Sequence, residues 1–295
     1  MKILITGSNG LMGQKLVSNL IKKSDVDFLA TSLHKNKMKS NFPFDLMDVR
    51  DKVFIDNIFN SFRPDVVIHT AAMTDVGPCE TRQSDCWELN VISTQNIIDA
   101  CNRYKSRLIY ISTDFVFDGE AGPYSENDKP NPVSFYGKSK YEAEKLVMQN
   151  AKDWAIVRTI LVYGICSDMA RSNIILWVKK NLETGKAIRV VNDQFRMPTL
   201  AEDLAEGTIQ IALRGASGIY HLSGKDYLSI YEIALKTANF FNLDKNLISP
   251  ISSAELNETG KRPPSTGFVL DKAIHDLDYR PRSIEEGLEV MKGQM

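Results

Sequence analysis

A tyrosine and a lysine four residues apart, Tyr136 and Lys140, are the side chains best suited to acid–base chemistry. They fall at the start of a predicted helix over residues 134–150, where a spacing of four places both on one face. A free phenol has a pKa of about 10, and a neighbouring ammonium stabilises the phenolate and lowers that pKa toward neutrality. The pair is therefore typical of a site that passes a proton to or from a substrate oxygen.

Two other residues could complete such a site. Thr113 directly follows the predicted strand Arg107–Ser112, so its hydroxyl could donate a hydrogen bond to the carbonyl oxygen that Tyr136 protonates. Asn90 lies in a predicted helix and could fix a proton-relay water, although an ordinary polar helix residue would show the same pattern. A solvated tyrosine–lysine pair on a helix surface is also common, so the catalytic interpretation depends on this context.

A glycine-rich turn follows the first predicted strand, Ile3–Ile5. Gly7, Gly10 and Gly13 have the spacing G-x-x-G-x-x-G and open a predicted helix. Glycine lets the backbone approach a pyrophosphate closely, and a helix that starts here directs free N–H groups at the anion. The alternative is a turn that only closes a strand–helix corner, but the position directly after the first strand favours a dinucleotide site.

The segment after the second predicted strand, Phe28–Ser32, bears on the choice of dinucleotide. A protein that binds NAD usually has an acidic residue there for the ribose hydroxyls. No acidic residue lies between Ala30 and Asn41, and residues 31–37 instead carry hydroxyls and cations suited to a 2′-phosphate. A solvated basic loop is the alternative. We therefore expect NADP(H) to be the preferred cofactor, with NAD(H) as a second choice.

The elements that must position these residues alternate along the first half of the chain. Apolar runs that predict strands are separated by segments of helical periodicity, as in a parallel sheet with helices on both faces. The predicted strands are Ile3–Ile5, Phe28–Ser32, Asp65–His69, Arg107–Ser112 and Trp154–Ile160. The predicted helices include Lys52–Phe62, Cys86–Tyr104 and residues 134–150. The fold class is therefore α/β, with a Rossmann-type doubly wound parallel sheet.

Beyond Gly164 the alternation loosens. The predicted elements are helices at Ile174–Leu182, Ala201–Leu213, Ser229–Phe241 and Ser283–Met291, and strands at Ala187–Val191 and Gly218–Leu222. We expect residues 1–160 to form an NADP-binding Rossmann domain and residues 161–295 to form a smaller α+β part that mainly binds substrate. Segments around 190–213 are expected to pack back on the first domain.

Composition narrows the function classes. The 295 residues carry 36 Lys and Arg against 37 Asp and Glu, so no overall charge favours nucleic acid or an anionic membrane. The four cysteines form no C-x-x-C pair, and the four histidines lack the spacing of metal ligands. No apolar run approaches the length of a signal-peptide core or a membrane span. We expect a cytoplasmic protein that binds neither nucleic acid nor membrane, with no metal ligands assigned.

These motifs, in this order, resemble the extended short-chain dehydrogenase/reductase superfamily. Within it, the sequence is most similar to the dTDP-4-dehydrorhamnose reductases, and the resemblance covers almost the whole chain. Besides the glycine turn and the Tyr136/Lys140 pair, it is carried by Asp45–Leu46 and by residues 69–76, 112–119, 158–159, 162–164, 191–194, 198–199 and 261–263.

The resemblance implies roles for individual residues. Asp45 would lie near the adenine, and Ala71 and Ala72 would lie beside the cofactor. The implied catalytic residues are Thr113, Tyr136 and Lys140. The implied cofactor-binding residues are Gly7, Gly10, Leu11, Met12, Gly13, Asp45, Leu46, Ala71, Ala72, Asn90, Tyr136 and Lys140. The implied substrate-binding residues are Thr74, Val76, Asn173, Gln194 and Arg262.

This chain departs from the pattern of those reductases at two positions. Gly77 stands where an aspartate is frequent, and Leu161 stands where a tryptophan is frequent. Both positions bear on contacts with the substrate, so the exact sugar is left open. Some relatives form dimers through a magnesium site, but the sequence does not identify ligands for Mg²⁺ here. A homodimer is therefore also left open.

The activity implied by the resemblance is NADPH-dependent reduction of the 4-keto group of a nucleotide-linked 4-keto-6-deoxyhexose. One alternative is a sugar-nucleotide epimerase or dehydratase on the same fold. Phe115 stands where such dehydratases carry an acid, which disfavours elimination, and the missing acidic residue after the second strand disfavours an epimerase that recycles NAD. The other alternative is a non-catalytic cofactor-binding subunit similar to the β subunit of methionine adenosyltransferase.

Overall fold

The computed structural model describes residues 1–168, 172–256 and 259–295. Within them, the strands are β1 (Lys2–Thr6), β2 (Asp27–Ser32), β3 (Phe44–Leu46), β4 (Val66–His69), β5 (Arg107–Thr113), β6 (Trp154–Thr159), β7 (Val162–Tyr163), β8 (Ile188–Val191), β9 (Phe195–Arg196), β10 (Thr199–Leu200), β11 (Gly218–Leu222), β12 (Leu228–Ser229) and β13 (Ile248–Ile251). The α-helices are α1 (Leu11–Leu20), α2 (Lys52–Phe62), α3 (Val76–Thr81), α4 (Gln83–Trp87), α5 (Ser93–Tyr104), α6 (Phe135–Asn150), α7 (Ile174–Glu183), α8 (Ala201–Arg214), α9 (Ile230–Phe240), α10 (Asp271–Leu277) and α11 (Ile284–Lys292).

Seven of these strands form one sheet in the order β11-β6-β5-β4-β1-β2-β3, and all of its neighbours pair in parallel. The chain runs outward from β1 in one direction through β2 and β3, and in the other through β4, β5 and β6. The strand order therefore reverses between β1 and β4, which is where ligands bind in sheets of this kind. The predicted doubly wound α/β fold is confirmed.

Alternate residues of the central strands supply the two cores on either face of this sheet. Ile3 and Ile5 pack with helices α1 and α8, whereas Leu4, between them, packs with helices α2 and α5. Each fully buried side chain of this kind contributes about 1.5–3 kcal/mol relative to exposure. The near-continuous apolar runs of the sequence thus reflect strands that are covered on both faces.

The remaining strands form three two-stranded pairs: β7 with β10, β9 with β12, and β8 with β13. Helices α7, α9 and α11 pack around them and enclose two smaller apolar clusters. The sequence places Gly218–Leu222 in the mainly substrate-binding part, but this segment is β11, the edge strand beside β6. The part of the second half that packs on the first domain therefore includes α8, which contacts α1, and continues to Leu222 at the end of β11.

Several elements differ from the sequence expectation. The predicted helix Cys86–Tyr104 is divided, because a π-helical turn at Glu88–Ile92 separates α4 from α5. The sequence analysis did not predict α3, α10 or β13, which are too short to show clear periodicity. Among the described residues, no helix is both long and apolar enough to cross a membrane.

One ion pair lies inside the fold, behind the helix that carries Tyr136 and Lys140. Glu144 on α6 accepts hydrogen bonds from Arg158 Nε at 3.0 Å and Arg158 Nη2 at 2.7 Å, and neither side chain is more than 2% exposed. The guanidinium also lies over the ring of Phe117. Such a pair fixes α6 against β6, and the removal of either partner leaves the other charge buried without compensation.

We expect Glu144→Gln to lower the free energy of unfolding by about 3–5 kcal/mol, because Arg158 stays buried without its counter-charge. The matched control is Glu285→Gln, whose partner Lys236 forms an exposed pair with it at the protein surface. The control should change stability by less than about 0.5 kcal/mol. Guanidinium titrations of both variants measure the difference, and equal destabilisation would contradict this account of the buried pair.

Candidate active site

The residues singled out from the sequence meet at the carboxyl ends of β1, β4 and β5. The glycine turn follows β1, Ala71 and Ala72 follow β4, and Thr113 is the last residue of β5. The register brings these ends side by side, since Thr6 pairs with His69 and β4 pairs with β5. A cleft at this edge of the sheet is the expected location for a nucleotide.

The glycine turn has no room for larger residues. Gly7 has a φ of 70°, and a Cβ built on it would lie 2.7 Å from the backbone nitrogen of Ala71. A Cβ on Gly13 would lie 2.5 Å from the carbonyl oxygen of Gly7. Gly10 precedes α1 and supplies no side-chain cap, so the N–H groups of the first turn, which includes Leu11 and Met12, face outward.

This geometry fits a dinucleotide. The hydroxyl oxygen of Ser8 is buried in the same turn and has no hydrogen-bond partner in the part of the chain that the structure describes, so a donor is available beside the uncapped helix start. Free N–H groups at a helix start, together with an unused hydroxyl and a backbone without Cβ atoms, are suited to the oxygens of a pyrophosphate. These residues would therefore hold a nicotinamide dinucleotide, whose reactive ring supplies hydride chemistry when it is bound.

A buried, neutral histidine, His69, contacts the end of β1 next to this turn. His69 Nδ1 forms a hydrogen bond of 2.7 Å with Thr6 Oγ1, and its Nε2 lies 3.3 Å from Thr94 Oγ1. Burial, together with the charge of Lys140, lowers the pKa of His69 to about 3, so the imidazole is uncharged at physiological pH. Thr6 Oγ1 also accepts from the backbone N–H of Ala71 at 3.4 Å, which ties the end of β4 to the end of β1.

The segment proposed for a 2′-phosphate is partly used by the fold itself. Thr31 is buried and donates to the carbonyl oxygen of Ile5 at 2.9 Å, so its hydroxyl is not available to a ligand. Lys37 forms a 3.0 Å ion pair with Asp168. The Thr31 hydroxyl is therefore excluded as a ligand of a 2′-phosphate, whereas the role of Lys37, whose ion pair is exposed, stays a prediction.

Other side chains of the same segment remain open to solvent. The side chain of Asn9 binds the backbone of His34, Lys35 and Lys37 at 2.9–3.1 Å and so fixes this loop beside the glycine turn. His34 and Lys35 are themselves exposed. Asp45 and Leu46 lie on the neighbouring β3, level with the end of β2, and are also exposed. They lie at the same edge of the sheet as the glycine turn.

Tyr136 lies at the start of α6, which packs very closely on the turn after β5. The helix is capped by Ser134, whose hydroxyl accepts from Gly137 N at 3.1 Å. A Cβ on Gly137 would lie 2.1 Å from the carbonyl oxygen of Phe115, so glycine is required for this approach. The Tyr136 side chain is only 8% exposed, and burial raises its pKa, although a hydrogen bond with Thr113 acts in the opposite direction.

Lys140 lies one helical turn further and is 3% exposed. Its ammonium donates to the carbonyl oxygen of Ile111 at 2.7 Å and lies 4.1 Å from the centre of the Tyr110 ring. Burial lowers the pKa of Lys140 to about 7, with the charge of Glu144 as the largest opposing influence. The structure thus brings the three predicted catalytic residues together and places the lysine near its point of titration.

The side chain of Asn90 is held by hydrogen bonds within the protein. It lies in the π-helical turn, and its amide nitrogen donates to the carbonyl oxygen of Met73 and to Ser139 Oγ, each at 2.9 Å. Its amide oxygen accepts from Met73 N at 2.8 Å. The amide thus clamps the chain after Ala72 to the helix of Tyr136. Both N–H donors are thus used within the protein, and a contact of Asn90 with a relay water or the cofactor stays a prediction.

The predicted substrate residues fall into separate places. Thr74 is exposed, and Val76 begins α3 and packs with Tyr136 in one small cluster. Asn173 caps α7 by accepting from Leu176 N at 3.1 Å, and it donates to the carbonyl oxygen of Gly164 at 2.7 Å. Its amide therefore orders the loop after β7.

Gln194 and Arg262 belong to neighbouring segments. Gln194 is 6% exposed and its side chain forms no hydrogen bond among the described residues. Arg262 is half-buried. The two segments are joined by the backbone bond from Phe195 N to the carbonyl oxygen of Pro264, at 2.8 Å.

The sequence analysis missed a second buried ion pair at the end of β5. Asp114 lies 3.7 Å from Arg196 Nε and accepts a hydrogen bond from Thr113 Oγ1 at 3.0 Å. The only sequence signal is the position of Asp114 directly after Thr113, because its partner is more than 80 residues away. Among the described residues, no group of three or more His, Cys, Asp or Glu could hold a metal ion.

We expect Gly13→Ala to weaken NADPH binding by at least about tenfold, equivalent to about 1.4 kcal/mol, because the added methyl would displace the turn. Gly293→Ala is the matched control, since its Cβ would meet nothing closer than 3.6 Å. Fluorescence titration with NADPH measures both affinities. A Gly13→Ala protein that folds and binds NADPH as tightly as the wild type would contradict the assignment of the turn.

Comparisons with known proteins agree with this geometry. The sequence matches the RmlD substrate binding domain family over residues 1–295. The spore coat polysaccharide biosynthesis protein SpsK of Bacillus subtilis is 32% identical over 288 residues, 97% of this chain and 95% of that protein. Methionine adenosyltransferase 2 subunit beta of Xenopus laevis is 29% identical over 263 residues, 88% of this chain and 77% of that protein.

A solved structure shows the same likeness in three dimensions. The dTDP-4-dehydrorhamnose reductase of Bacillus anthracis, in complex with NADP, is 28% identical and superimposes with a TM-score of 0.87 over 100% of this chain and 99% of that chain. The predicted resemblance is therefore confirmed. The chain belongs to the RmlD substrate binding domain family and is an NAD(P)-dependent oxidoreductase with the extended short-chain dehydrogenase/reductase fold of the dTDP-4-dehydrorhamnose reductases.

Proposed function

We propose that this protein uses NADPH to reduce the 4-keto group of a nucleotide-linked 4-keto-6-deoxyhexose. The observation that carries the proposal is the convergence of Thr113, Tyr136 and Lys140 at the sheet edge that also holds the glycine turn. A carbonyl placed there would meet a phenol, a hydroxyl and an ammonium, which is the set of groups that a ketone reduction requires.

Each side chain has a distinct part in this scheme. Tyr136 donates its proton to the oxygen of the substrate carbonyl as negative charge develops there. Lys140 is held by the carbonyl oxygen of Ile111 and stabilises the resulting phenolate. Thr113 Oγ1 donates to Asp114, so this hydroxyl must rotate before it can donate to the substrate or the phenolate. Burial of all three raises the strength of these interactions.

NADPH is proposed over NADH for two reasons. First, no acidic residue lies between Ala30 and Asn41, directly after β2, where one would bind the free ribose hydroxyls. Second, the exposed His34 and Lys35 lie on the loop that Asn9 fixes beside the glycine turn. The Bacillus anthracis reductase, which is similar in fold, is bound to NADP. We also propose the cytoplasm as the compartment, since all four cysteines are free thiols.

A regulatory subunit is the second candidate function, because methionine adenosyltransferase 2 subunit beta is nearly as similar to this chain as SpsK. A protein of this kind would bind the cofactor without turnover. The deciding experiment is a panel of nucleotide 4-keto sugars assayed with NADPH and with NADH, with each product identified by NMR. Turnover with NADPH supports the reductase, whereas tightly retained NAD in the purified protein would favour an epimerase.

We expect Tyr136→Phe to lower kcat by about 10²–10⁴, because the variant keeps the ring but loses the proton donor. Tyr141→Phe, on the same helix but outside the catalytic cluster, should retain full activity. Steady-state NADPH oxidation measures both variants, and NADPH titration verifies that each still binds cofactor. A Tyr136→Phe protein with wild-type kcat would exclude the phenol as the acid.

The pH profile should follow the titration of Lys140. Its pKa is lowered to about 7, so the protonated fraction falls as pH rises through that value. Because kcat/KM reports the free enzyme, we expect it to decline above a pH of about 7. Glu144 on the same helix and the thiols of Cys79 and Cys86 oppose this shift. A profile that stays flat to pH 9 would contradict the role of the buried ammonium.

A further inference from the structure

The buried pair of Asp114 and Arg196 joins the catalytic strand to the opposite side of the cleft. Asp114 directly follows Thr113, whereas Arg196 lies on β9, two residues after Gln194. Both side chains are at most 4% exposed. One carboxylate oxygen accepts from Thr113 Oγ1, and the other accepts from Thr266 Oγ1 and lies 3.7 Å from Arg196 Nε.

The guanidinium of Arg196 holds the segment that follows Arg262. Nη2 donates to the carbonyl oxygen of Pro263 at 2.6 Å, and Nη1 donates to those of Pro264 at 3.3 Å and Phe195 at 2.7 Å. A planar fork with several donors can serve three carbonyl oxygens at once, which a lysine ammonium cannot do with the same geometry.

A second contact fixes the same segment independently. Gly119, in the loop that leaves the catalytic strand, has a φ of 85°. A Cβ on it would lie 2.7 Å from the Cβ of Pro263 and 2.8 Å from the nitrogen of Pro264. The two proline residues are therefore packed directly against the loop after β5, so a movement of that segment would be felt at Thr113.

We propose that Asp114 and Arg196 are positioning residues that hold the segments of Gln194 and Arg262 at a fixed distance from Thr113. This inference rests on the proposed function, together with the substrate-binding roles that the resemblance implies for Gln194 and Arg262. The pair would thus set the distance between the reacting carbon of the sugar and the residues that bind the nucleotide. A misplacement of about 1 Å in such an arrangement can cost a factor of 10² in rate.

The charge state of the pair supports this role. Burial raises the pKa of Asp114, and Arg196 is the largest influence in the opposite direction. The guanidinium of Arg196 therefore favours the charged form of the carboxyl group that accepts the hydrogen bond from Thr113. Loss of the arginine would disturb the substrate segment and the catalytic hydroxyl together.

Arg196→Lys tests the pair while it keeps the positive charge. We expect the Kd for dTDP, measured by calorimetry, to rise at least about tenfold because the fork to the proline carbonyls is lost. The Kd for NADPH should stay within about twofold, since the contacts described for the pair lie at Thr113, Thr266 and the proline segment. Backbone amides of Phe195 and Thr266 should exchange hydrogen faster. Arg189→Lys, in an exposed pair with Glu255, is the matched control and should change none of these quantities.

Asp114→Asn tests the other partner. We expect a lower kcat with a smaller change in KM, because Thr113 loses the charged acceptor that orients it. Thr266→Val removes one hydroxyl contact and leaves both charges, so it should shift the dTDP affinity in the same direction by less. Thermal melting verifies that each variant is folded, and Thr266→Val serves as the test if either charge variant is not.

The outcomes separate this inference from the proposed function. Faster exchange at Phe195 and Thr266 with unchanged dTDP affinity and unchanged turnover would overturn the positioning role and leave the reductase intact. The wild-type protein could instead reduce no 4-keto sugar, while Arg196→Lys still weakens dTDP binding and speeds exchange in the segment. That result would overturn the proposed reductase function and support the positioning role of Asp114 and Arg196. Unchanged exchange and dTDP affinity in folded Arg196→Lys would also overturn the inference.

Discussion

A buried ammonium and a buried phenol, one helical turn apart on α6, are the constraint on which the rest of the structure depends. Lys140 is almost fully enclosed, and a charge in such a place is costly unless hydrogen bonds and counter-charges compensate it. The compensation comes from the carbonyl oxygen of Ile111, the face of Tyr110 and the charge of Glu144. These groups lie on β5 and α6, so the packing of that helix on that strand determines whether the site can function. A Cβ built on Gly137 would lie 2.1 Å from the carbonyl oxygen of Phe115, which shows how closely α6 packs on the turn after β5.

The same strand also connects the site to the second half of the chain. Its last residue is Thr113, and the next residue, Asp114, pairs with an arginine on β9. The main sheet and the segment of β9, which is proposed to face the substrate, are thereby linked by a buried ion pair. In the proposed function, this one buried pair would affect both the affinity for the nucleotide and the alignment of the carbonyl.

Sequence reasoning recovered the parts of the fold that show in local patterns. Strand β5 and helix α2 are long enough for their periodicity to be recognised. The glycine turn could be predicted because three glycines at this spacing are typical of a tight turn that opens a helix. It did not recover the π-helical turn at Asn90, whose amide is fixed by tertiary contacts with Met73 and Ser139. Nor could it place β11 in the main sheet, since an apolar run does not reveal its pairing partner. The pair of Asp114 and Arg196 was missed for the same reason, because the contact joins residues far apart in sequence.

The central claim is that one cleft aligns a sugar carbonyl with both the phenol of Tyr136 and a bound nicotinamide. The most direct measurement uses NADPH that carries deuterium at both hydrogen positions of the nicotinamide C4 and follows the label into the product by NMR and mass spectrometry. The account predicts one deuterium bound to C4 of the hexose. Product without deuterium at that carbon, or label found in solvent, would contradict it.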